Sequence, residues 1–187
     1  MKRIISLCLL CALLFSLCAC KEKEEKQKKL DVDIEYFATL GKIPECEVTL
    51  GQTASEVKAL LDEKVNNSSD EEYSYDEIQG ESNVLITDGS YDFYYKKSDS
   101  QSRIGYIVSY DDAYSFKIGT SILEVKDALS DFEVTEECAT EENLFFYIGE
   151  TENVTLIKTE FKKNVLLFVF EDNALSATVL YSSEIWK

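Results

Sequence analysis

Two stretches of this sequence decide its fold: LGQTASEVKALLDE at residues 50–63 and IGTSILEVKDALSD at residues 118–131. They align without a gap at an offset of 68 residues, and Gly51 matches Gly119 in that alignment. Self-similarity at a fixed spacing is typical of a repeated structural unit. The chain is therefore predicted to contain the same unit twice.

Both stretches carry the signals of a helix start. Thr53 and Ser121 each stand three residues before a glutamate, which is the capping-box pattern of a helix N-terminus. Apolar residues then recur on one helical face, which in the second stretch consists of Ile122, Val125, Ala128 and Leu129. Each stretch is predicted to form a helix of about three turns.

Strand-like sequence follows each predicted helix. DEIQGESNVLI (residues 76–86) is similar to FYIGETENVTL (residues 146–156) at an offset of 70 residues. Runs typical of strands then follow at residues 91–96 and 103–110 in the first half, and at residues 164–171 and 174–181 in the second. The predicted fold class is α+β, with two tandem repeats that each pack a short helical segment on a four-stranded antiparallel sheet.

The predicted repeats occupy residues 30–115, with an N-terminal extension, and residues 116–187. The extension begins with LDVDIEYF (residues 30–37), which has no counterpart in the second half. Its apolar and acidic residues alternate, as in a strand. Leu30, Ile34 and Phe37 also fit one face of a helix, so both interpretations stay open.

The N-terminus reads as a targeting segment. Lys2 and Arg3 precede an almost wholly apolar run at residues 4–19, which is the pattern of a secretory signal. Cys8 and Cys11 have the spacing of a redox or zinc pair, but they lie inside this run. The alternative, an uncleaved anchor, also places the rest of the chain outside the cytoplasm.

The end of that run, Leu17-Cys18-Ala19-Cys20, resembles the lipobox of bacterial lipoproteins. The resemblance implies a signal peptide at residues 1–19 that is cut before Cys20, and a lipid on the Cys20 thiol. Residues 20–29 would then be the lipidated cysteine and a charged, flexible tether, KEKEEKQKK. The predicted location is the cell membrane, lipid-anchored, on the extracytoplasmic side.

Composition excludes several function classes. Residues 30–187 contain 12 basic and 33 acidic side chains, which argues against nucleic-acid binding. The chain has no histidine, so histidine-based triads and zinc sites are absent. We predict no catalytic, cofactor or metal site and no enzyme activity, with a carboxylate-based enzyme as the alternative.

The repeated helix start also resembles a known family. Its pattern, G-x-[ST]-x-x-E-V-x-x-L, is similar to that of the β-lactamase-inhibitor-protein-like fold and of the SmpA/OmlA type of outer-membrane assembly lipoproteins. The matching residues are Gly51, Thr53, Glu56, Val57 and Leu60, then Gly119, Ser121, Glu124 and Val125, with Ala128 in place of the last leucine. The resemblance implies a protein that binds other proteins on an open sheet face.

Alternation along the strands predicts which side chains face the helices. The predicted inner set is Ile78, Val84, Ile86, Phe93, Ile104, Val108, Ile148, Val154, Leu156, Phe168, Leu175 and Val179. The predicted outer set is Tyr73, Tyr75, Thr87, Tyr94, Ile107, Phe145, Tyr147, Ile157, Leu167, Val169 and Leu180. The outer set is unusually apolar, so either packing between the repeats or Trp186 covers it, or it binds a partner.

From this outer set we predict a partner-binding face formed by Tyr73, Tyr75, Tyr94 and Tyr147, because tyrosine combines ring area with a polar tip. The predicted function is a non-catalytic protein-binding module, tethered to the membrane by its N-terminal lipid, with a protein partner. The alternative is a binder of a small ligand, peptide or cation in the groove between the repeats.

Two cysteines, Cys46 and Cys138, lie beyond the N-terminal segment. Outside the cytoplasm they could form a disulfide. The alternative is a pair of buried thiols.

Overall fold

The structure, a computed structural model, describes residues 32–68, 73–140, 144 and 153–186. In this part of the chain the helices are α1 (Ile34–Leu40), α2 (Ala54–Asn67) and α3 (Ile122–Ala128). The strands are β1 (Asp76–Gln79), β2 (Asn83–Thr87), β3 (Tyr91–Lys96), β4 (Ile104–Ser109), β5 (Val134–Cys138), β6 (Val154–Phe161), β7 (Asn164–Glu171) and β8 (Ala174–Ser182). The predicted signal peptide and tether lie outside the described residues.

The N-terminal extension is helical. Asp33 caps α1 by accepting the Tyr36 N–H at 2.9 Å, and the helix ends at Gly41, whose φ of 73° is left-handed. Ile34 and Ala38 are buried one turn apart on the same face of α1. The strand alternative for residues 30–37 is therefore set aside from Ile34 onward, and Leu30 lies outside the described residues.

The helices α2 and α3 begin where the sequence places them. At α2 the Glu56 Oε2 accepts the Thr53 N–H at 2.7 Å, and the Thr53 Oγ1 accepts the Glu56 N–H at 3.3 Å, which completes the capping box. At α3 the Ser121 Oγ accepts the Glu124 N–H at 3.3 Å. However, α3 has 7 residues against 14 in α2, so the prediction of about three turns is wrong for α3.

The strands form one antiparallel sheet in the order β1-β2-β3-β4-β8-β7-β6-β5. The α+β class and the antiparallel pairing are confirmed, but the expected two separate sheets are one. The last strands of the two halves, β4 and β8, pair from Tyr106–Tyr181 to Ser109–Thr178. All six residues of β4 are buried, so a free β4 edge would expose apolar surface.

Two bulges decide which side chains face the helices. Gly105 is an extra residue in β4, because Tyr94 pairs with Tyr106 while Tyr95 pairs with Ile104. Ser176 is the corresponding extra residue in β8, where Val169 pairs with Ala177 and Phe170 with Leu175. An extra residue reverses the alternation that follows it.

In β4 and β8 the predicted faces are correct before the bulge and reversed after it. Ile107 and Leu180 lie in the core under the helices, whereas Val108 and Val179 lie on the outer face. The prediction is also wrong along β6, where Ile157 faces the helices and Val154 and Leu156 face outward. It is correct for Ile86, Phe93, Ile104, Phe168 and Leu175 on the inner side, and for Tyr94, Leu167 and Val169 on the outer side.

The remaining predicted positions lie in β1, in β2 and outside the described residues. Ile78 pairs with Leu85, which packs on the outer face, and its side chain is 53% exposed, so its predicted inner position is wrong. Val84 is buried and shares the inner face with Ile86 by alternation. Phe145, Tyr147 and Ile148 lie outside the described residues.

One core joins both halves on the helix side of the sheet. Its members include Val57 and Leu61 of α2, Val125 of α3, and Phe93 and Phe168 from the two halves of the sheet. This shared core spans the predicted boundary between residues 115 and 116.

The extension helix packs on the second half. The Asn164 Nδ2 of β7 donates to the Ala38 carbonyl at 2.9 Å and to the Thr39 carbonyl at 3.2 Å. The extension therefore precedes the first half in sequence but supports the second half in space. In the described part of the chain, none of the helices is long and apolar enough to cross a membrane.

Candidate partner-binding face

A second group of packed side chains, the outer cluster, covers the sheet face away from the helices. Its buried members are Tyr94, Tyr106, Val108, Ala139, Leu144, Val154, Leu156, Leu167, Val169, Ala177 and Val179. Leu85, Tyr181 and Trp186 pack against this cluster and are only partly buried. The outer face is thus a second core over most of its area, with a partly exposed aromatic border.

The aromatic border is built by stacking. The rings of Tyr106 and Tyr181 are parallel within 7° with centroids 4.7 Å apart, and the Trp186 ring lies 5.1 Å from that of Tyr106. The Lys96 Nζ lies 5.4 Å from the centre of the Trp186 ring, within the range of a cation–π contact. Burial raises the pKa of the Tyr106 and Tyr181 hydroxyls, so both stay protonated and can donate hydrogen bonds at neutral pH.

The Trp186 ring reaches the sheet because β4 has a glycine beneath it. A Cβ on Gly105 would lie 2.9 Å from the Trp186 Cε3 and 3.0 Å from the Ile185 Cγ2. The Trp186 N–H donates to the Ser182 carbonyl at 2.9 Å, which fixes the chain end as it leaves β8. Gly105 therefore allows both the bulge and the close approach of the C-terminal segment.

Of the four predicted contact tyrosines, Tyr94 lies on the outer face but is only 6% exposed. Its hydroxyl donates to the Asp92 Oδ2 at 3.3 Å, and the Tyr110 hydroxyl donates to the same atom at 2.9 Å. Burial and the Asp92 charge raise the pKa of both tyrosines. Tyr94 thus helps to satisfy a buried carboxylate, and it offers little surface to a partner.

Tyr75 lies on the helix side, so its predicted outer position is wrong. The Tyr75 ring packs against the inner core, and its hydroxyl donates to the Asp62 Oδ1 of α2 at 2.7 Å. The Tyr73 hydroxyl donates to the Asp88 Oδ2 at 3.0 Å. Both residues precede β1, where strand alternation does not apply, and Tyr147 lies outside the described residues.

No disulfide joins the two cysteines past the N-terminal segment. Cys46 is buried, and burial raises the pKa of its thiol to about 12. Cys138 is exposed at the end of the edge strand β5. Cys46 lies near Tyr91 of β3, and β3 is five strand positions from β5, about 24 Å at the usual strand spacing. The disulfide prediction is therefore wrong for this structure, and Cys20 lies outside the described residues.

The described residues also line cavities outside the outer cluster. One, of about 530 Å³, is an acidic groove lined by Glu35, Asp131, Glu133, Glu137 and Glu160 around Lys158. Another, of about 210 Å³, lies where the two halves meet and is lined by Arg103, Lys163, Asn164, Ser182 and Glu184 among others. Over the residues that the structure describes, no group of three or more Cys, Asp or Glu side chains is placed to hold a metal ion.

Sequence reasoning missed Tyr181 and Gly105 and named Trp186 only as a cover. A glycine inside the strand-like run IGYIVS is a signal for a bulge or for close approach of another chain segment. That signal would have reversed the faces after Gly105 and placed Tyr106 on the outer side.

No protein-family model and no curated protein matches the chain. Among solved structures, it is similar to the crystal structure of a DUF4309 family protein (YjgB) from Bacillus subtilis subsp. subtilis str. 168. That likeness has 15% sequence identity, covers 83% of this chain and 95% of the other, and has a TM-score of 0.47. No conclusion about function rests on it.

Proposed function

We propose that this protein is a membrane-anchored, extracytoplasmic lipoprotein that binds a protein partner without catalysis. The support for the anchor is the sequence Leu17-Cys18-Ala19-Cys20 after an apolar run, followed by KEKEEKQKK. Two acyl chains on Cys20 would hold the protein stably at the membrane, where a single chain would be marginal. The first described helix begins at Ile34, so the tether leads into the folded part within a few residues.

The observation that carries the binding proposal is the partly exposed aromatic border of the outer face. Tyr181 and Trp186 sit beside the buried Tyr106 ring, with Lys96 over the indole. Tyrosine and tryptophan beside a well-packed, desolvated centre are the side chains that most often dominate protein–protein binding. The binding face remains the outer sheet face, but its contacts move from the four predicted tyrosines to Leu85, Tyr181 and Trp186.

We also infer that the two halves are tandem repeats, as the β-lactamase-inhibitor-protein-like resemblance implies. Gly51 and Gly119, with φ of 92° and 89°, donate to the carbonyls of Ile104 and Leu175, both at 2.8 Å. The residues that cap α2 and α3 form matching bridges, Thr53 with Arg103 and Ser121 with Ala174. These pairs and the bulges at Gly105 and Ser176 support a duplicated unit.

The anchor is tested by changing Cys20 to Ser. A labelled fatty acid is expected to be incorporated into the wild type and into Cys18→Ser, but not into Cys20→Ser. Label on Cys20→Ser would show that the lipid is attached to another residue.

The partner face is tested by photo-crosslinking in intact cells. A benzophenone amino acid at Tyr181 or Trp186 is expected to yield one discrete crosslinked product. The matched control is the same amino acid at Tyr36, a 57% exposed tyrosine on α1. The same product from all three positions, or none from Tyr181 and Trp186, would contradict the assignment of this face.

A second candidate function is the binding of a small ligand between the halves. The observation that favours it is the junction cavity, which is lined by residues from both halves of the chain.

A further inference from the structure

Helix α1 is apolar on two opposite faces. Ile34 and Ala38 are buried in the core beneath it, whereas Tyr36 is 57% exposed and Leu40 is 52% exposed. Tyr36 and Leu40 are four residues apart, so they are neighbours on the solvent side of the helix. A surface helix usually presents polar side chains to solvent, and a helix that is apolar all round is usually buried. The exposed face of α1 is therefore suited to contact with an apolar surface outside the folded part of the chain.

Two lysines border this apolar pair. Lys162 and Lys163 form the two-residue turn between β6 and β7, and both are exposed. Leu40 shares one depression of the surface with Tyr36 and Lys162, and it lines the junction cavity together with Lys163. None of the ion pairs among the described residues involves Lys162, and the Lys163 Nζ lies 3.8 Å from the Glu184 Oε2. We call Tyr36, Leu40, Lys162 and Lys163 the α1 patch.

The carboxylates near the α1 patch lie at the other end of the helix. Asp33 and Glu35 line the same depression, but both stand at the start of α1, whereas Leu40 is its last residue. The Asp33 Oδ1 accepts the Tyr36 N–H at 2.9 Å, so this carboxylate is engaged in capping the helix. The end of the patch at Leu40 is therefore the positively charged end.

The sequence brings the α1 patch close to the proposed lipid. Thirteen residues, 21–33, separate Cys20 from Ile34, and a chain of that length spans at most about 45 Å. Helix α1 is the first described element after the anchor point. Because the anchor would keep α1 near the bilayer, docking of the patch becomes an intramolecular step, for which a weak contact is sufficient.

We propose that the α1 patch docks on the surface of the bilayer that carries the anchor. Tyr36 and Leu40 enter the boundary between headgroups and acyl chains, where aromatic and leucine side chains are favoured. Lys162 and Lys163 reach lipid phosphates from the border of the patch. The 7 residues of α1 are about 10 Å long, against a hydrocarbon core of about 30 Å, so the helix lies on the membrane and does not cross it. This inference rests on the proposed lipid anchor and is independent of the proposed partner face.

The experiment measures contact between the α1 patch and acyl chains. The lipidated full chain is reconstituted into vesicles of phosphatidylcholine and phosphatidylglycerol, whose acyl chains carry bromine as a contact quencher of tryptophan. The reporter is Tyr36→Trp in a Trp186→Phe background, which removes the one native tryptophan.

The matched reporter is Leu123→Trp in the same background. Leu123 is a 74% exposed apolar residue of α3. Helix α3 begins beside the β7–β8 turn, where the Ile122 N–H donates to the Asn173 carbonyl at 3.1 Å. That turn and the Lys162–Lys163 turn lie at opposite ends of the 8-residue β7, about 26 Å apart at the usual rise of a strand.

We expect bromine to quench the emission at position 36 and to leave the emission at position 123 unchanged. Leu40→Gln, added to the position-36 reporter, should abolish the quenching. Lys162→Gln should weaken docking by about fivefold, the usual contribution of one lysine at an anionic surface. Leu123→Gln should change nothing, because it removes an exposed leucine outside the α1 patch.

Flotation of the same vesicles reports membrane attachment separately. Protein that floats with the vesicles but is not quenched at position 36, or is quenched equally at both positions, would overturn the docking and leave the anchor intact. Quenching that survives Leu40→Gln would overturn it too. Protein that does not float would overturn the anchor and the docking together. A crosslink to another protein from the benzophenone at Tyr36 would show that a protein and not lipid covers the α1 patch, and would likewise overturn the docking.

Discussion

At the scale of single residues, burial separates the two cysteine thiols by reactivity. Cys46 lies among buried apolar side chains, and desolvation raises the pKa of its thiol to about 12. Only the thiolate is nucleophilic, so Cys46 should be inert at neutral pH even where reagent reaches it. Cys138 is exposed on an edge strand.

This difference predicts the outcome of thiol labelling. In the folded protein a maleimide should modify Cys138 rapidly and leave Cys46 unmodified, whereas in denaturant both should react. Peptide mass mapping assigns each label, and Cys138→Ser is the control that removes the rapid reaction. Protection of both thiols until a reductant is added would instead indicate a disulfide, contrary to this structure.

Gly105 makes a second prediction at the same scale. Its replacement by alanine puts a Cβ 2.9 Å from the Trp186 ring, so the C-terminal segment must move. We expect a loss of about 1–3 kcal/mol in the free energy of unfolding, the usual cost of overpacking. Trp186 is the chain's one tryptophan, so its emission should shift to the red as the ring becomes solvated.

The control for that prediction is Gly89→Ala. Gly89 has a φ of 89° and open space around it, so alanine there adds backbone strain but no contact with Trp186. It should lower stability without changing the emission. An unchanged emission spectrum in Gly105→Ala would show that Trp186 does not depend on the glycine.

At the scale of elements, the capping box of α2 carries the next prediction. Thr53→Ala removes both the hydroxyl that accepts the Glu56 N–H and a donor to the Glu56 carboxylate. The expected loss is about 0.5–2 kcal/mol in the free energy of unfolding, measured by urea denaturation. Thr53→Ser keeps the hydroxyl and should stay close to the wild type. Equal losses in both variants would mean that the effect comes from the lost methyl group.

The same cap gives a pH dependence with a definite sign. Hydrogen bonds from the Thr53 N–H and hydroxyl hold the pKa of the Glu56 carboxyl below its usual value of 4.5. A lowered folded-state pKa contributes stability above the unfolded-state value, and this contribution is lost as the pH falls through the folded-state pKa. The difference between the wild type and Thr53→Ala should therefore shrink below pH 4.5. A difference that grows in acid would contradict this reading of the cap.

The elements also show what could be predicted from the sequence. Helix starts at Thr53 and Ser121 could be, because a capping box is local chemistry that needs no tertiary contact. The facing of Val108 and Val179 could not be predicted from alternation alone, because one bulge residue, Gly105 or Ser176, reverses every later position in its strand. The contact tyrosines Tyr73 and Tyr75 could not be placed by alternation for a different reason, because both precede β1, which begins only at Asp76.

The pairing of β4 with β8 could not be predicted from the repeat pattern either. The pattern predicts two copies of a unit, but it does not predict the seam between them, which is the pairing of β4 with β8. The all-buried run of β4, IGYIVS, is the signal that this strand has neighbours on both edges and packing on both faces. The position of α1 on the second half depends on Asn164, which lies about 125 residues away in sequence, and no local signal reports that contact.

At the scale of the whole molecule, the seam predicts that the halves do not fold alone. A fragment of residues 30–115 would leave β4 as an unpaired edge strand, although all six of its residues are buried in the whole protein. A fragment of residues 116–187 would lack α1, which packs on Asn164. Exposed apolar edges promote aggregation. Each half expressed alone should therefore be insoluble or unfolded by circular dichroism, and the two expressed together should assemble into a soluble complex. The complex should weaken when the first fragment begins after residue 40, because Asn164 then loses its carbonyl partners on α1. A stable, monomeric fold of either half alone would mean that the core shared across the seam is dispensable.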